Sequence, residues 1–325
     1  MKLPRRKFLR FAAGAVGLPA VPRVATAQTY PTRPITMIVP FAAGGATDVI
    51  ARLVAKPMGV SLGQSIIIEN AGGADGSTGT GRAARARPDG YTIITGLKES
   101  QILNGAFYSL PYDVLKDFVP ISPLVNLSYI LFTRKNIPAA DVNELIAWLK
   151  VNTGKTSAGI GSTGLKLLTA FLQREIGTRF SFVPYRGVAP AMQDLVAGQI
   201  DIVLGGTEQL PLMRAGSIRG YAVTSETRLA AAPEISTFRE IGIPALSYTT
   251  WAGLFAPKGT PKDIVIKLNA AAVRALADAD ARSRLAEFGF EVFPPERQTP
   301  ETLDAMQKAD VEKWWPSKFG INLAA

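Results

Sequence analysis

The 325-residue chain contains no cysteine and no histidine. Lack of cysteine excludes disulfides, thiolate nucleophiles and a lipid-bearing cysteine. Lack of histidine removes the usual general base at neutral pH, the Ser-His-Asp and Cys-His nucleophile pairs, and most zinc or haem ligation. No catalytic residue, metal or cofactor is therefore expected. A carboxylate pair of the glycosidase type is chemically open to the chain, but no spacing favours one. A partner with a long negative charge is also missing its counterpart. The net charge of +10 owes much to Lys2, Arg5, Arg6, Lys7, Arg10 and Arg23, and the rest of the chain carries 30 basic against 26 acidic residues. With no later basic block or RNA-reading aromatic motif, nucleic acid is not expected as a partner.

What is present begins with an export signal at residues 1–27. Arg5-Arg6-Lys7-Phe8-Leu9 precedes a stretch of about a dozen mostly apolar residues, and Ala25-Thr26-Ala27 offers a cleavage site. The apolar part falls short of the roughly 20 residues that span a bilayer. The mature protein is thus expected outside the cytoplasm and not inserted in the membrane. The paired arginines resemble a twin-arginine signal, which implies export in the folded state; a general secretory signal is the other reading. At 47% hydrophobic residues, the mature chain can bury a substantial core.

Two nucleotide motifs nearly form and fail. Gly154-Lys155-Thr156 ends like a phosphate-binding loop, but Leu149 stands where the first glycine is required. Gly79-Thr80-Gly81-Arg82-Ala83-Ala84 approximates a dinucleotide fingerprint, yet about ten loop residues separate it from the strand that should lead straight into it.

Strands and helices alternate in an α/β pattern. Strands are expected at 35–39, 66–69 and 91–95, with helices at 47–62 and 77–86 between them. A second run gives helix 141–151, opened by a capping box of Asp141 and Glu144, then strand 157–160 and helix 162–176. Strand 180–183, helix 189–197 and strands 200–204 and 220–223 follow. An apolar strand at 250–256 leads to a helix opened by Thr260 as cap and Pro261, and Thr299-Pro300 repeats the device. Trp314 and Trp315 read as packing residues. The C-terminal part is expected to return to the first domain, giving domain I as 28–129 plus 250–325 and domain II as 130–249. Crossings near 126–132 and 246–254 would form a hinge.

The most informative segment is Ile35 to Asp48. An apolar β-rich strand ends at Pro40, Gly44 and Gly45 free the backbone, and Thr47 or Asp48 is placed to cap the next helix. Backbone N–H groups at such a helix start face a space where an anion can sit. Ser162, a fitting cap for the helix expected at 162–176, offers a second such start. Whether both loops do more than cap their helices is left open by the residues alone.

Several segments together resemble the Bug family, the extracytoplasmic solute receptors of tripartite tricarboxylate transport systems. They are Tyr30 to Pro34, Val39 to Asp48, Glu69 to Gly73, Pro88 to Thr92, Leu110 to Asp113, Lys116 to Phe118, Val183 to Gly187, Ala222 to Ser225 and Trp251 to Pro257. The resemblance implies a periplasmic binding protein of type II-like fold, with two α/β domains, a hinge and an interdomain cleft. It also implies a monomer that does no chemistry, binds a small organic acid and delivers it to permease subunits. By the same resemblance one ligand carboxylate is held by the loop at Phe41, Ala42, Ala43, Gly44, Gly45, Thr47 and Asp48, and from the other domain by Gly161, Ser162, Thr163 and Gly164. Two departures from the family pattern are Glu99-Ser100 after the third strand and Thr207-Glu208 in the second domain. If Glu99 or Glu208 faces the cleft, it repels a second carboxylate and attracts an amine, which points to a monocarboxylate or an amino-bearing acid. Tyr185 and Arg186 are candidates for the distal end of the ligand. A sensory partner of a two-component system would use the same pocket, and a carboxylate-dependent enzyme is the most distant reading.

Overall fold

The computed structural model describes residues 30–315. The export signal and its twin-arginine pair lie outside the described residues. The first part of the chain runs β1 (Ile35–Val39), α1 (Ala46–Leu62), β2 (Ile66–Asn70), α2 (Ser77–Ala84) and β3 (Thr92–Leu97). A π-helical turn at Glu99–Leu103 then runs into α3 (Asn104–Phe107), and β4 (Phe118–Arg134) follows. Next come α4 (Val142–Val151), β5 (Ser157–Ile160), α5 (Thr163–Glu175), β6 (Ser181–Pro184), α6 (Val188–Val196) and β7 (Ile202–Gly206). The chain continues through α7 (Leu210–Arg214), β8 (Ile218–Val223), β9 (Ser236–Thr237) and β10 (Thr249–Pro257). It closes with α8 (Lys262–Ala277), α9 (Ala279–Glu287), β11 (Glu291–Val292) and α10 (Pro300–Trp314).

The strands form two sheet halves that share β4. The first half is ordered β2-β1-β3-β10-β4, with β1 parallel to β2 and β3, and β10 antiparallel to both neighbours. In the second half β4 lies antiparallel to β7 and β8, and β5 runs parallel to β6 and β7. The changeover is sharp: Ser128 pairs with Thr249 of β10, and Tyr129 pairs with Gly206 of β7. The result is a two-lobed α/β fold hinged on β4 and the chain entering β10. Each lobe has its own core. Met37, Val39, Ile50 and Val54 join Leu254 and Leu268 in the first, while Leu145, Leu165 and Leu168 join Ile202 and Leu204 in the second.

Local chemistry explains the helix starts, with some corrections. Ser162 Oγ accepts the Leu165 N–H at 3.3 Å and caps α5 as expected. Asp141 caps α4 by accepting from Asn143 and Glu144, while the Glu144 carboxylate reaches the Ala140 N–H instead of the cap's own. Thr299 caps α10. At α1 the cap is Gly45, neither Thr47 nor Asp48. The left-handed turn at Gly44, with φ of 84°, starts the helix one residue earlier than the side chains indicated. Thr260 also fails to cap α8, because its hydroxyl donates to the Pro257 carbonyl and Pro261 takes the cap position.

Candidate functional site

The loop leaving β1 and the N-terminus of α1 stand on one lobe. The N-termini of α5 and α6 face them from the other. The approach is close: a Cβ on Gly187, the α6 cap, would stand 3.6 Å from the Cβ of Ala42. Between the lobes lie two connected spaces. An outer one of about 200 Å³ is lined by Phe41, Asp75, Tyr108, Thr163, Lys166, Tyr185 and Arg186 among others. An inner one of about 40 Å³ is lined by Phe41, Ala42, Gly45, Thr47, Glu99, Tyr129, Gly161, Ser162 and Glu208 among others. The inner space is large enough for one or two waters.

The loop at Phe41–Gly45 is held from behind by Asp48. Its carboxylate accepts the Gly44 N–H at 2.9 Å, Arg52 Nε at 3.0 Å and Asn70 Nδ2 at 3.0 Å. Burial alone would raise this carboxyl, but those three donors outweigh it and hold it below the usual carboxylate range. Ala43 and Gly44 sit at the exposed loop tip, and Asp48 supports the loop from below, so none of the three lines either space.

Ser100 turns inward too, with its hydroxyl donating to the Leu97 carbonyl and accepting the Leu97 N–H. Gly164 lies where a Cβ would come within 2.9 Å of Glu99 Cγ, so its bare backbone lets the lobes meet there. Thr207 is fully buried. Tyr185 donates to Asp194 at 2.6 Å, and burial with that neighbour pushes its hydroxyl up to about 12. Arg186 is exposed at the mouth.

Neither glutamate faces bulk solvent. Glu99 is 1% exposed, and its carboxylate accepts from three hydroxyls: Tyr129 at 2.9 Å and Tyr248 at 3.0 Å on Oε1, and Thr250 at 2.9 Å on Oε2. Burial and the Glu99 charge push both tyrosines well above their ordinary range, which keeps them as donors. Lys98 points the other way. Its ammonium donates to the Thr249 carbonyl at 2.6 Å, stands 4.3 Å from the Tyr248 ring centre and pairs with Asp310 at 3.8 Å. Burial lowers its pKa, with the Asp310 and Glu99 charges opposing. Glu208 is 6% exposed and accepts from Gln209 Nε2 at 3.0 Å.

The sequence reading missed Asp75 and Tyr108. Asp75 sits in the glycine-rich loop after β2 with φ of 54°, and its carboxylate accepts the Thr163 N–H at 2.8 Å from the opposite lobe. Burial pushes this carboxyl up to about 6, aided by the Glu99 charge and resisted by the Thr163 hydrogen bonds. Tyr108 shares a hydrogen bond of 2.5 Å with the Thr163 hydroxyl. The only advance signal for Asp75 was its place in a loop rich in glycine.

Residues 50–315 match the profile of the tripartite tricarboxylate transporter family receptors. The chain belongs to that family. Among curated relatives, Protein BugT of Bordetella pertussis is 32% identical over 297 residues, covering 89% of each chain. Among solved structures, the periplasmic binding protein BugD superposes with a TM-score of 0.84 at 36% identity, covering 88% of this chain and 96% of that one. MatC from Rhodopseudomonas palustris, solved with bound malate, gives 0.83 at 36% identity, covering 88% and 98%. Among the described residues no helix of this receptor-family chain is long and apolar enough to cross a membrane.

Proposed function

We propose that this protein is a periplasmic receptor that captures a small organic carboxylate between its lobes and delivers it to a tripartite tricarboxylate-type permease. The observation that carries the reading is the placement of two helix N-termini, those of α1 and α5, on opposite walls of one buried space. Each helix start carries about half a positive charge, although some of its first N–H groups are already engaged: Thr163 by Asp75, Leu165 by Ser162 and Ala46 by the Glu208 carboxylate. A carboxylate is the small group that such an arrangement holds without a basic side chain. MatC, a relative of the same fold, has malate bound.

The lobes of this reading are residues 28–129 with 250–325, and 130–249, after removal of the signal at 1–27. In this reading the inner ligand contacts come from Phe41, Ala42, Gly45, Ala46 and Thr47 on one lobe and from Gly161 and Ser162 on the other, and Arg186 at the mouth serves a distal acidic group. The reading is one of binding without turnover, as in the receptor family.

A thermal-shift screen of the purified protein against mono-, di- and tricarboxylates, aromatic acids and amino acids tests this. A ligand at about a hundred times its Kd stabilises a fold by roughly 2.7 kcal/mol. A clear shift with a carboxylate supports the receptor reading. Its absence across the panel, with native mass spectrometry finding no carried ligand, would overturn it.

A further inference from the structure

Each helix start in the cleft is already met by a carboxylate of the opposite lobe. Asp75 of the first lobe accepts the Thr163 N–H of α5 at 2.8 Å. Glu208, in the turn after β7 of the second lobe, engages the N–H of Ala46, the first residue of α1. The turn that carries it is inserted into the first lobe. It packs against α1, and a Cβ on Gly289, between α9 and β11, would stand 3.2 Å from the Thr207 Cβ. Gly206 gives the carboxylate room to fold back at the end of β7, since a Cβ there would collide with it.

The two carboxylates occupy different places. Asp75 lines the outer space, beside Tyr108, which shares the Thr163 hydroxyl. Glu208 lines the inner space together with Gly45, Ala46 and Thr47, where the α1 start would receive a ligand's carboxylate. It is 6% exposed and accepts from Gln209, the next residue. The inner space that remains, about 40 Å³, holds one or two waters and has no room for a second carboxylate.

We propose that Glu208 is the internal occupant of the cleft: its carboxylate fills the position at the start of α1 that a ligand's carboxylate takes, and binding exchanges one for the other. This rests on the reading of the cleft as a carboxylate site and specifies what fills that site when no ligand does. The exchange leaves the helix start with an anion throughout. Glu208 regains water as it leaves, which offsets part of the desolvation of the incoming carboxylate. Because Glu208 is tethered, its effective concentration is high and a small free anion competes poorly. A ligand that also fills the outer space makes contacts that Glu208 does not, so the occupant selects for acids long enough to reach Tyr108 and Arg186.

The test uses acetate as the probe and compares the wild type with Glu208→Ala, which empties the position, and Glu208→Gln, which keeps it filled without the charge. Melting is followed in sodium acetate against sodium chloride of equal ionic strength. Acetate should raise the midpoint of Glu208→Ala by roughly 2 °C or more beyond chloride, in a saturating manner, while the wild type and Glu208→Gln respond alike to both salts. Glu208→Ser takes the place of the alanine variant if that one does not melt cooperatively. A folded, shortened variant indifferent to acetate would overturn the proposal. So would an equal response of Glu208→Gln, because repulsion by the charge and not occupation of the space would then keep anions out. Either result, alongside a panel acid that stabilises the wild type, leaves the receptor reading intact. If no acid of the panel or acetate stabilises any of the proteins, both readings fall.

Discussion

Asp75 accepts the backbone N–H of Thr163 at 2.8 Å, so a side chain of one lobe serves the first turn of a helix in the other. The contact exists only while the lobes are together. Closure removes water from the carboxyl and raises it to about 6, whereas in open, solvated protein it returns to the ordinary value near 3.9.

The sign of the pH dependence follows. A carboxyl whose pKa is raised by closure binds its proton more tightly in the closed form, so closure is favoured as pH falls through about 6 and the gain is complete below the open-state value. Burial shifts Glu208 in the same direction. Small-angle scattering of the unliganded protein should show a smaller radius of gyration at pH 5 than at pH 7.5, and Asp75→Asn should remove most of the difference. A larger radius at pH 5 would contradict the assignment.

Glu99 ties together both strands at the changeover, through Tyr129 of β4 and Thr250 of β10, with Tyr248 just before β10. Glutamine in its place offers one acceptor oxygen where there were two. Glu99→Gln should lower stability by about 2 kcal/mol, since hydrogen bonds to a charged group contribute roughly 1.5–3 kcal/mol each and one or more is lost. Urea denaturation measures this, and an unchanged midpoint would mean that the three hydroxyls do not depend on the charge.

Gly164 separates lobe contact from lobe stability. As a helical glycine replaced by alanine, it should gain about 0.5–1 kcal/mol within α5. The added methyl stands 2.9 Å from Glu99 Cγ and wedges the lobes apart. Gly164→Ala should therefore melt no lower than wild type while binding ligand at least about tenfold more weakly, a loss of roughly 1.4 kcal/mol. Parallel thermal-shift and calorimetric measurements would show whether the two properties part.

Asp48 titrates with the opposite sign to Asp75. Arg52, Gly44 and Asn70 overcome its burial and hold it below the usual range, so its stabilisation is present above the unfolded pKa near 3.9 and disappears as pH falls through the folded value. Asp48→Asn should cost about 1–2 kcal/mol at pH 7, and the deficit should shrink towards pH 3. Urea titrations at the two pH values compare them directly.

The strands at Ile35–Val39 and Ser157–Ile160 and the capped start of α5 were legible because each is fixed by its own residues: a β-rich apolar run, or a serine before a helical stretch. The extent of β4 was not, because Pro120 and Pro123 argue against a strand. Both prolines lie opposite β10 at its register shifts, where the missing N–H is tolerated. The Phe41–Gly45 loop was placed from sequence, but the inward turn of Ser100 and the hydroxyls around Glu99 were not. Tyr248 and Thr250 stand 149 and 151 residues away from Glu99, and no local pattern encodes a partner at that separation. Asp75 escaped for the same reason, since its partner is 88 residues away and its backbone conformation is one that side chains rarely adopt.

The position of β10 sets an order of events in the making of the molecule. It is the strand between β3 and β4, yet it is synthesised more than a hundred residues after either. The lobe containing β5, β6 and β7 is nearly continuous in sequence and can assemble while the ribosome is still working. The other must wait with two sheet edges unpaired, and such edges pair readily with other chains. A nascent chain stopped before Thr249 would thus expose β3 and β4 together, so the interval before β10 emerges is when the protein most needs a chaperone.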